Sequence, residues 1–199
     1  MHITRQITQQ LAMELGEPAV EVWSVEMQDE EFAQLRKHVE LRRTHDVTVL
    51  VLRGDELAVI RKPKYPPEAY RAPSGGVHPE ESFLDGATRE TWEETGLKVE
   101  IDGYLMRVHV SFNHGGDTSP WTTHVMVAKP VADSGGELSP VDTNEIESAR
   151  WVSWDELINR VNPILVKSGL GGLAYRARVH EKARELLLAS KPPTSESRS

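Results

Sequence analysis

No cysteine occurs in the 199-residue chain, which excludes disulfides, thiolate zinc sites and a cysteine nucleophile. No apolar run approaches the ~18 residues that a membrane-spanning helix needs, so no membrane partner is expected. The opening stretch MHITRQITQQLAMELGEPAV lacks the continuous apolar segment and cleavage site of a secretory signal. A cytoplasmic protein is the expectation. Positive charge is in short supply: 23 Lys and Arg face 31 Asp and Glu, a formal net charge of −8. Broad, nonspecific nucleic-acid binding needs a basic footprint and is not expected. An acidic protein can still handle phosphates where a divalent cation masks its carboxylates. The length suits one domain with modest extensions and a core that needs no covalent staple.

Residues 1–44 read as a polar N-terminal extension, with a strand at Val20–Val25 and a short helix at Asp29–Val39 that turns Phe32, Leu35 and Val39 inward. The main domain is expected over 45–190. It opens with a hairpin of Val47–Leu52 and Leu57–Arg61 joined through Gly54-Asp55. Lys62–Pro73 holds four prolines and reads as loop or extended chain. A helix is expected from about Ser82 to Thr95, started by Ser82 with Asp85 three residues on and stopped by Gly96. Its Leu84, Ala87, Thr91 and Thr95 share one packing face. Strands follow at about Leu97–Val110, Trp121–Ala128 and Ala149–Val152, then helices at Asp155–Val161 and Leu173–Ala189. Residues 191–199 read as a disordered tail. Strands mixed with helices on both sides imply an α/β fold, a mixed sheet between helical layers.

The chemistry concentrates in Gly75–Leu97, GGVHPEESFLDGATRETWEETGL. On a helix Glu90, Glu93 and Glu94 stand at i, i+3 and i+4 and project from one face. Most such clusters are merely solvated acidic faces. Three neighbouring carboxylates repel unless a cation joins them, and hard oxygen ligands suit Mg²⁺ or Mn²⁺. Arg89 is four residues before Glu93 and offsets part of the repulsion. Gly75 and Gly76 let the backbone turn tightly and approach a metal or phosphates closely.

This stretch resembles the signature box of the Nudix family, Gly-x5-Glu-x7-Arg-Glu-U-x-Glu-Glu-x-Gly-U, where U is a bulky apolar residue. All seven specified positions other than U match in identity and spacing, and Thr91 stands at the first U. A chance match in a chain of this length is below roughly one in a million. The acidic loop and Trp-containing segment from Asp142 to Leu157 is similar to a later Nudix segment, so the resemblance spans about 45–160.

The resemblance implies a Nudix-type α/β/α sandwich that hydrolyses a diphosphate linkage with Mg²⁺ or Mn²⁺. It implies Glu90, Glu93 and Glu94 as metal ligands, joined by the Ser74 carbonyl, with Glu81 supporting the loop or reaching metal through water. Arg89 would orient the acidic face. Glu145 is the first candidate for the general base, with Glu94 or Glu90 behind it. Arg61, Lys62, Lys64 and Arg71 flank the proline-rich loop as candidate phosphate cations. Tyr65, Tyr70, Phe112 and Trp121 are candidates for stacking on a base, although packing is the commoner role for the last two. His109, His114 and His124 are given no role.

The expected substrate is a nucleotide-like small molecule: a nucleotide sugar, ADP-ribose or a nucleoside triphosphate. The competing reading is a catalytically silent Nudix-fold nucleotide-binding module, which the intact acidic triad disfavours. A prenyl diphosphate isomerase of the same fold would bring a catalytic cysteine, and there is none. Phe112, Asn113 and His114 stand where some subfamilies carry a Pro or Tyr marker, so no subfamily is selected. Homodimerisation through the N-terminal extension is left open.

Overall fold

The computed structural model describes residues 3–132 and 136–190; the expected tail at 191–199 lies outside them. The elements run α1 (Arg5–Leu15), β1 (Ala19–Glu26), α2 (Asp29–Glu40), β2 (His45–Arg53), β3 (Glu56–Arg61), β4 (Ser74–Gly75) and α3 (Phe83–Thr95). There follow β5 (Val99–His114), β6 (Asp117–Pro130), β7 (Ser148–Ser153), α4 (Trp154–Glu156), a π-helical stretch Leu157–Val161, α5 (Asn162–Lys167) and α6 (Gly171–Ala189). The strands form one mixed sheet in the order β1-β5-β6-β2-β3-β7, with β4 paired to β2. The β1–β5 and β2–β6 pairs are parallel and the other pairs antiparallel.

Side chains alternate across a strand, and the sheet uses both faces. Val47, Val49 and Val51 of β2 pack with Leu11 of α1 and Phe83 and Ala87 of α3. Leu50 and the alternate residues Val108, Val110 and Phe112 of β5 face the other way. They meet Phe32 and Leu35 of α2 and Leu173, Val179 and Ala183 of α6. This is the expected α/β/α sandwich with a mixed central sheet.

The sheet runs across the expected boundary at residue 44/45, because β1 pairs along β5 from Ala19↔Met106 to Glu26↔Asn113. Glu31 of α2 accepts the Gly171 and Gly172 N–H groups at 2.9 Å each. A carboxylate thus caps the N-terminus of α6, where exposed amides and the helix dipole favour negative charge. The N-terminal segment is thereby fastened to the C-terminal helix.

α1 was not expected from the sequence. Thr4 caps it and Gly16 ends it at φ 95°, but only Ile7, Leu11 and Leu15 mark its apolar stripe among polar neighbours. β5 and β6 are longer than expected because the turn at Gly115 and Gly116, with φ 57° and 92°, joins them as a tight hairpin.

Two buried histidines make the fold acid-sensitive. His124 accepts or donates between Tyr104 Oη at 2.5 Å and His45 Nδ1 at 3.0 Å, and Phe83 packs edge-on against it. His180 accepts the Ala72 N–H at 3.2 Å and meets Asn162 Oδ1 at 2.8 Å. Burial first, then neighbouring positive charge, pushes both down to about 3. An unfolded histidine takes up its proton near ~6.5, whereas these folded ones stay neutral until far lower. The unfolded state therefore binds more protons between those values. Stability is fully present above about 6.5 and falls as pH drops toward 3, by up to ~1.4 kcal/mol per pH unit for each histidine. The urea midpoint is expected to fall steadily from pH 7 to pH 5; a flat profile would refute this account.

Candidate active site

The acidic face is carried by α3 and the loop before it. Ser82 Oγ accepts the Asp85 N–H at 3.1 Å and its hydroxyl donates to the Asp85 carboxylate at 2.7 Å, which starts the helix. Ala87, Thr91 and Thr95 are fully buried beneath it. Thr91, at the polar-for-apolar position, donates its hydroxyl to the Ala87 carbonyl at 2.8 Å, so its polar atom is satisfied within the helix while its methyl packs.

Arg89 gathers three carboxylates. It donates to both oxygens of Glu81 (Nε 3.0 Å, Nη2 2.8 Å), to Glu90 at 3.1 Å and Glu93 at 2.8 Å, and to the Gly76 carbonyl at 3.0 Å. The bidentate bond from Arg89 holds the Glu81 carboxyl below its usual range, and the His78 N–H at 2.6 Å adds to this. Burial pushes Glu90 up; Arg89 opposes this, while Glu94 and Glu93 add to it. Gly75 is required by contact rather than by φ: a Cβ there would lie 2.0 Å from Glu90 Oε2 and 2.1 Å from its Cδ.

Glu94 has a different set of partners and meets the same loop one residue earlier. It is buried, accepts the Ser74 N–H at 2.7 Å and the Arg71 guanidinium at 3.3 Å, and has Lys62 Nζ at 3.9 Å. Arg71 is only 3% exposed and also donates to Ser74 Oγ, the Ala72 carbonyl and Tyr65 Oη. Burial works against its charge, but Glu94 and Tyr65 together outweigh that and Arg71 is held firmly protonated. Its guanidinium is spent on supporting Glu94 and Ser74, which does not leave it open to solvent as a phosphate cation.

Glu145 reaches this group through Lys62, whose ammonium lies 2.8 Å from its carboxylate. The loop that carries it is pinned to the end of α3: the Val141 and Asp142 N–H groups both donate to the Glu93 carbonyl, at 2.9 and 3.0 Å. Gly96 permits that docking twice over. Its φ is 77°, in the left-handed region, and a Cβ would meet the Ser139 carbonyl at 2.3 Å. Asp142 Oδ1 then accepts the Asn144 and Glu145 amides and shapes the turn.

Arg61 does not join the carboxylates of α3; its guanidinium pairs with Glu147. Phe112 is packed in the core against Tyr175 at 5.3 Å, and Tyr70 lies under the Arg150 guanidinium with its hydroxyl on Ser148. Trp121 is half-buried and donates to Asp46 at 3.0 Å. Tyr65 is partly buried beside Arg71. His114 meets the Met27 carbonyl and His109 meets Thr122, away from the acidic face. Arg43, which no sequence signal marks, lies against Gly76: a Cβ on that glycine would be 2.3 Å from Arg43 Nη2.

No cluster of three or more His, Asp or Glu side chains among the described residues already converges as a metal cage. Arginines take up the carboxylates instead. The donor set nevertheless suits a hard divalent ion: Glu90, Glu93 and Glu94 carry carboxylate oxygens on one helix, and Gly75 leaves the space that the Glu90 carboxylate occupies.

A mixed sheet between helices, with a glycine loop pressed on a helix of glutamates, defines an α/β/α protein with an acidic loop–helix site. The chain belongs to the Nudix family, whose NUDIX domain model matches residues 42–168. It is similar to the NAD-capped RNA hydrolase NudC of Chromobacterium violaceum, 36% identical over 118 residues, or 59% of this chain and 41% of that protein. The corresponding protein of Stutzerimonas stutzeri is 34% identical over 116 residues, 58% of this chain and 38% of that one. The chain thus spans well under half the length of these curated relatives. Among solved structures, a UDP-X diphosphatase covers 83% of this chain and 73% of its own at TM-score 0.54 and 17% identity. A Nudix hydrolase from Nitrosomonas europaea covers 79% and 97% at TM-score 0.51 and 18% identity. At those identities they support the fold alone. No helix among the described residues is long and apolar enough to cross a membrane.

Proposed function

We propose that the protein hydrolyses the diphosphate linkage of a nucleoside diphosphate derivative with Mg²⁺ or Mn²⁺. The observation that carries this is the loop–helix unit in which Glu81, Glu90 and Glu93 converge on Arg89 while the Gly75 backbone touches Glu90. Glu90, Glu93 and Glu94, with the Ser74 carbonyl, would hold the metal. When bound, the metal supplies charge neutralisation on the diphosphate and lowers the pKa of the attacking water.

The remaining work falls to the chain itself. Arg89 spaces and orients the carboxylates. Arg71 and the Ser74 N–H fix Glu94. Glu145, held by Lys62 at 2.8 Å, accepts a proton from water as its oxygen attacks phosphorus; Glu94 is the alternative base. The bridging P–O bond breaks, and two phosphate monoesters leave. The wild-type chain is expected to act in a cytoplasmic setting.

NAD-type dinucleotides head the substrate candidates because the curated relatives are named for NAD-capped RNA. That name carries an RNA, so the expectation against broad nucleic-acid binding has no support from the relatives. The test is a panel of NAD⁺, NADH, NAD-capped RNA, ADP-ribose, nucleotide sugars, dinucleoside polyphosphates and nucleoside triphosphates. Metal-dependent release of a mononucleotide from one class, stopped by chelator, is the expected result. No release from any class, together with no Mn²⁺ binding, would remove the proposal.

A further inference from the structure

Four cations border the Gly75–Gly76 loop and the carboxylates of α3, and three are occupied. Arg89 holds Glu81, Glu90 and Glu93, Arg71 holds Glu94, and Lys62 lies between Glu145 and Glu94. The fourth is Arg43. Its side chain makes no hydrogen bond or ion pair with any other described residue, although the protein carries a net charge of −8 and offers many acids.

From this placement we infer that Arg43 binds a phosphate of the diphosphate substrate, as the one border cation among the described residues still open to an anion. The inference rests on the proposed function and adds to it a residue from outside the glycine–glutamate box.

Three observations converge on it. The guanidinium lies where any side chain at position 76 would be, with Nη2, Cζ and Nε at 2.3, 3.2 and 3.3 Å from a Cβ built on Gly76. The glycine thus keeps room for the arginine beside the backbone that approaches the phosphates. Second, the chain adopts a costly conformation to put it there. Arg42 has φ 60°, a left-handed geometry that a non-glycine residue adopts at about 1 kcal/mol or more. That turn is closed by the Arg42 N–H on the Val39 carbonyl at 2.8 Å and the Arg43 N–H on the His38 carbonyl at 2.9 Å. Third, the end of α2 adjoins the site: His38 lies close enough to Arg43, Glu145 and Lys62 to feel their charges. Arginine is suited to the task because its planar fork gives two parallel bonds to a phosphate and stays charged at any working pH.

The test compares wild type, Arg43→Ala and Arg43→Lys, full chain in each case, with the panel substrate that turns over and α,β-methylene-ADP as a non-hydrolysable probe in Mg²⁺. Losing a charge-assisted phosphate contact raises KM and probe Kd about 10- to 100-fold. Turnover number changes by no more than about threefold, and lysine recovers part of the loss. Thermal midpoints stay level, since the side chain has no partner to lose. KM and probe affinity within about twofold of wild type would overturn the role, and so would a fall in kcat at constant KM. Failure of the functional reading is separable: wild type would then turn over no panel member. In that event probe binding still decides Arg43, and a wild type that neither turns over nor binds the probe overturns both.

Discussion

Glu94→Gln is expected to lower kcat about a thousandfold, some 4 kcal/mol of transition-state stabilisation, and also to cost the fold stability. Two different losses coincide at this residue. Its carboxylate is a proposed metal ligand, and it is also the anion beside Arg71, which is 3% exposed. The amide still accepts the Ser74 N–H, which lies 2.7 Å from the carboxylate, so the backbone geometry survives. Arg71 is left as a buried cation short of its anion, a condition that costs up to ~3 kcal/mol and lowers the unfolding midpoint by roughly 5–10 °C. The two losses separate in Glu94→Gln combined with Arg71→Met. Removing both buried charges restores much of the midpoint, while turnover stays as low as in the single variant. Recovery of turnover in the double variant would show that Glu94 acts only by keeping Arg71 in place.

Gly75→Ala is the second large effect. One added methyl would stand 2.0 Å from Glu90 Oε2, far inside contact distance. The backbone cannot retreat, because Gly75 is paired with Val47 in the β4–β2 ladder. Glu90 must therefore leave its position beside Arg89. Turnover and Mn²⁺ affinity are each expected to fall about 10- to 100-fold, with the thermal midpoint nearly unchanged. Gly103→Ala is the matched control, since its nearest atom would be Val127 Cβ at 3.7 Å. If Gly75→Ala binds Mn²⁺ like wild type, the proposed ligand set is wrong.

Much of this arrangement was legible in the sequence because it is local. The helix from Ser82 to Gly96 announces itself by its cap, its period and its stop, and i, i+3, i+4 spacing places the glutamates on one face without any tertiary information. The β2–β3 hairpin is equally local. What the sequence hides is set by distant partners. Nothing near Arg71 tells that it will fold under Glu94, 23 residues on, and become a buried support. Glu145 could be placed in a loop but not at the end of Lys62. Phe112 reads as a possible stacking platform until β5 turns it into the core against Tyr175. α1 is hidden in the sequence because polar residues dilute its stripe, although Thr4 and Gly16 stand at its ends. Arg43 was beyond reach, since its position depends on a left-handed Arg42 that no composition rule signals.

The strand order has a consequence for how the molecule comes together in time. β2 finds β6 from His45↔Thr122 to Val51↔Ala128, and β3 finds β7 from Glu56↔Ser153 to Arg61↔Ser148. Such distant pairings carry a large loop-closure cost before they return any stability, and they slow folding. The β5–β6 hairpin and the helix of glutamates need only neighbouring chain and are expected to form first. The acids are therefore in place early, whereas Glu145, just ahead of β7, reaches Lys62 only when the last long-range ladder closes. During synthesis the site is completed only once β7 has emerged to pair with β3.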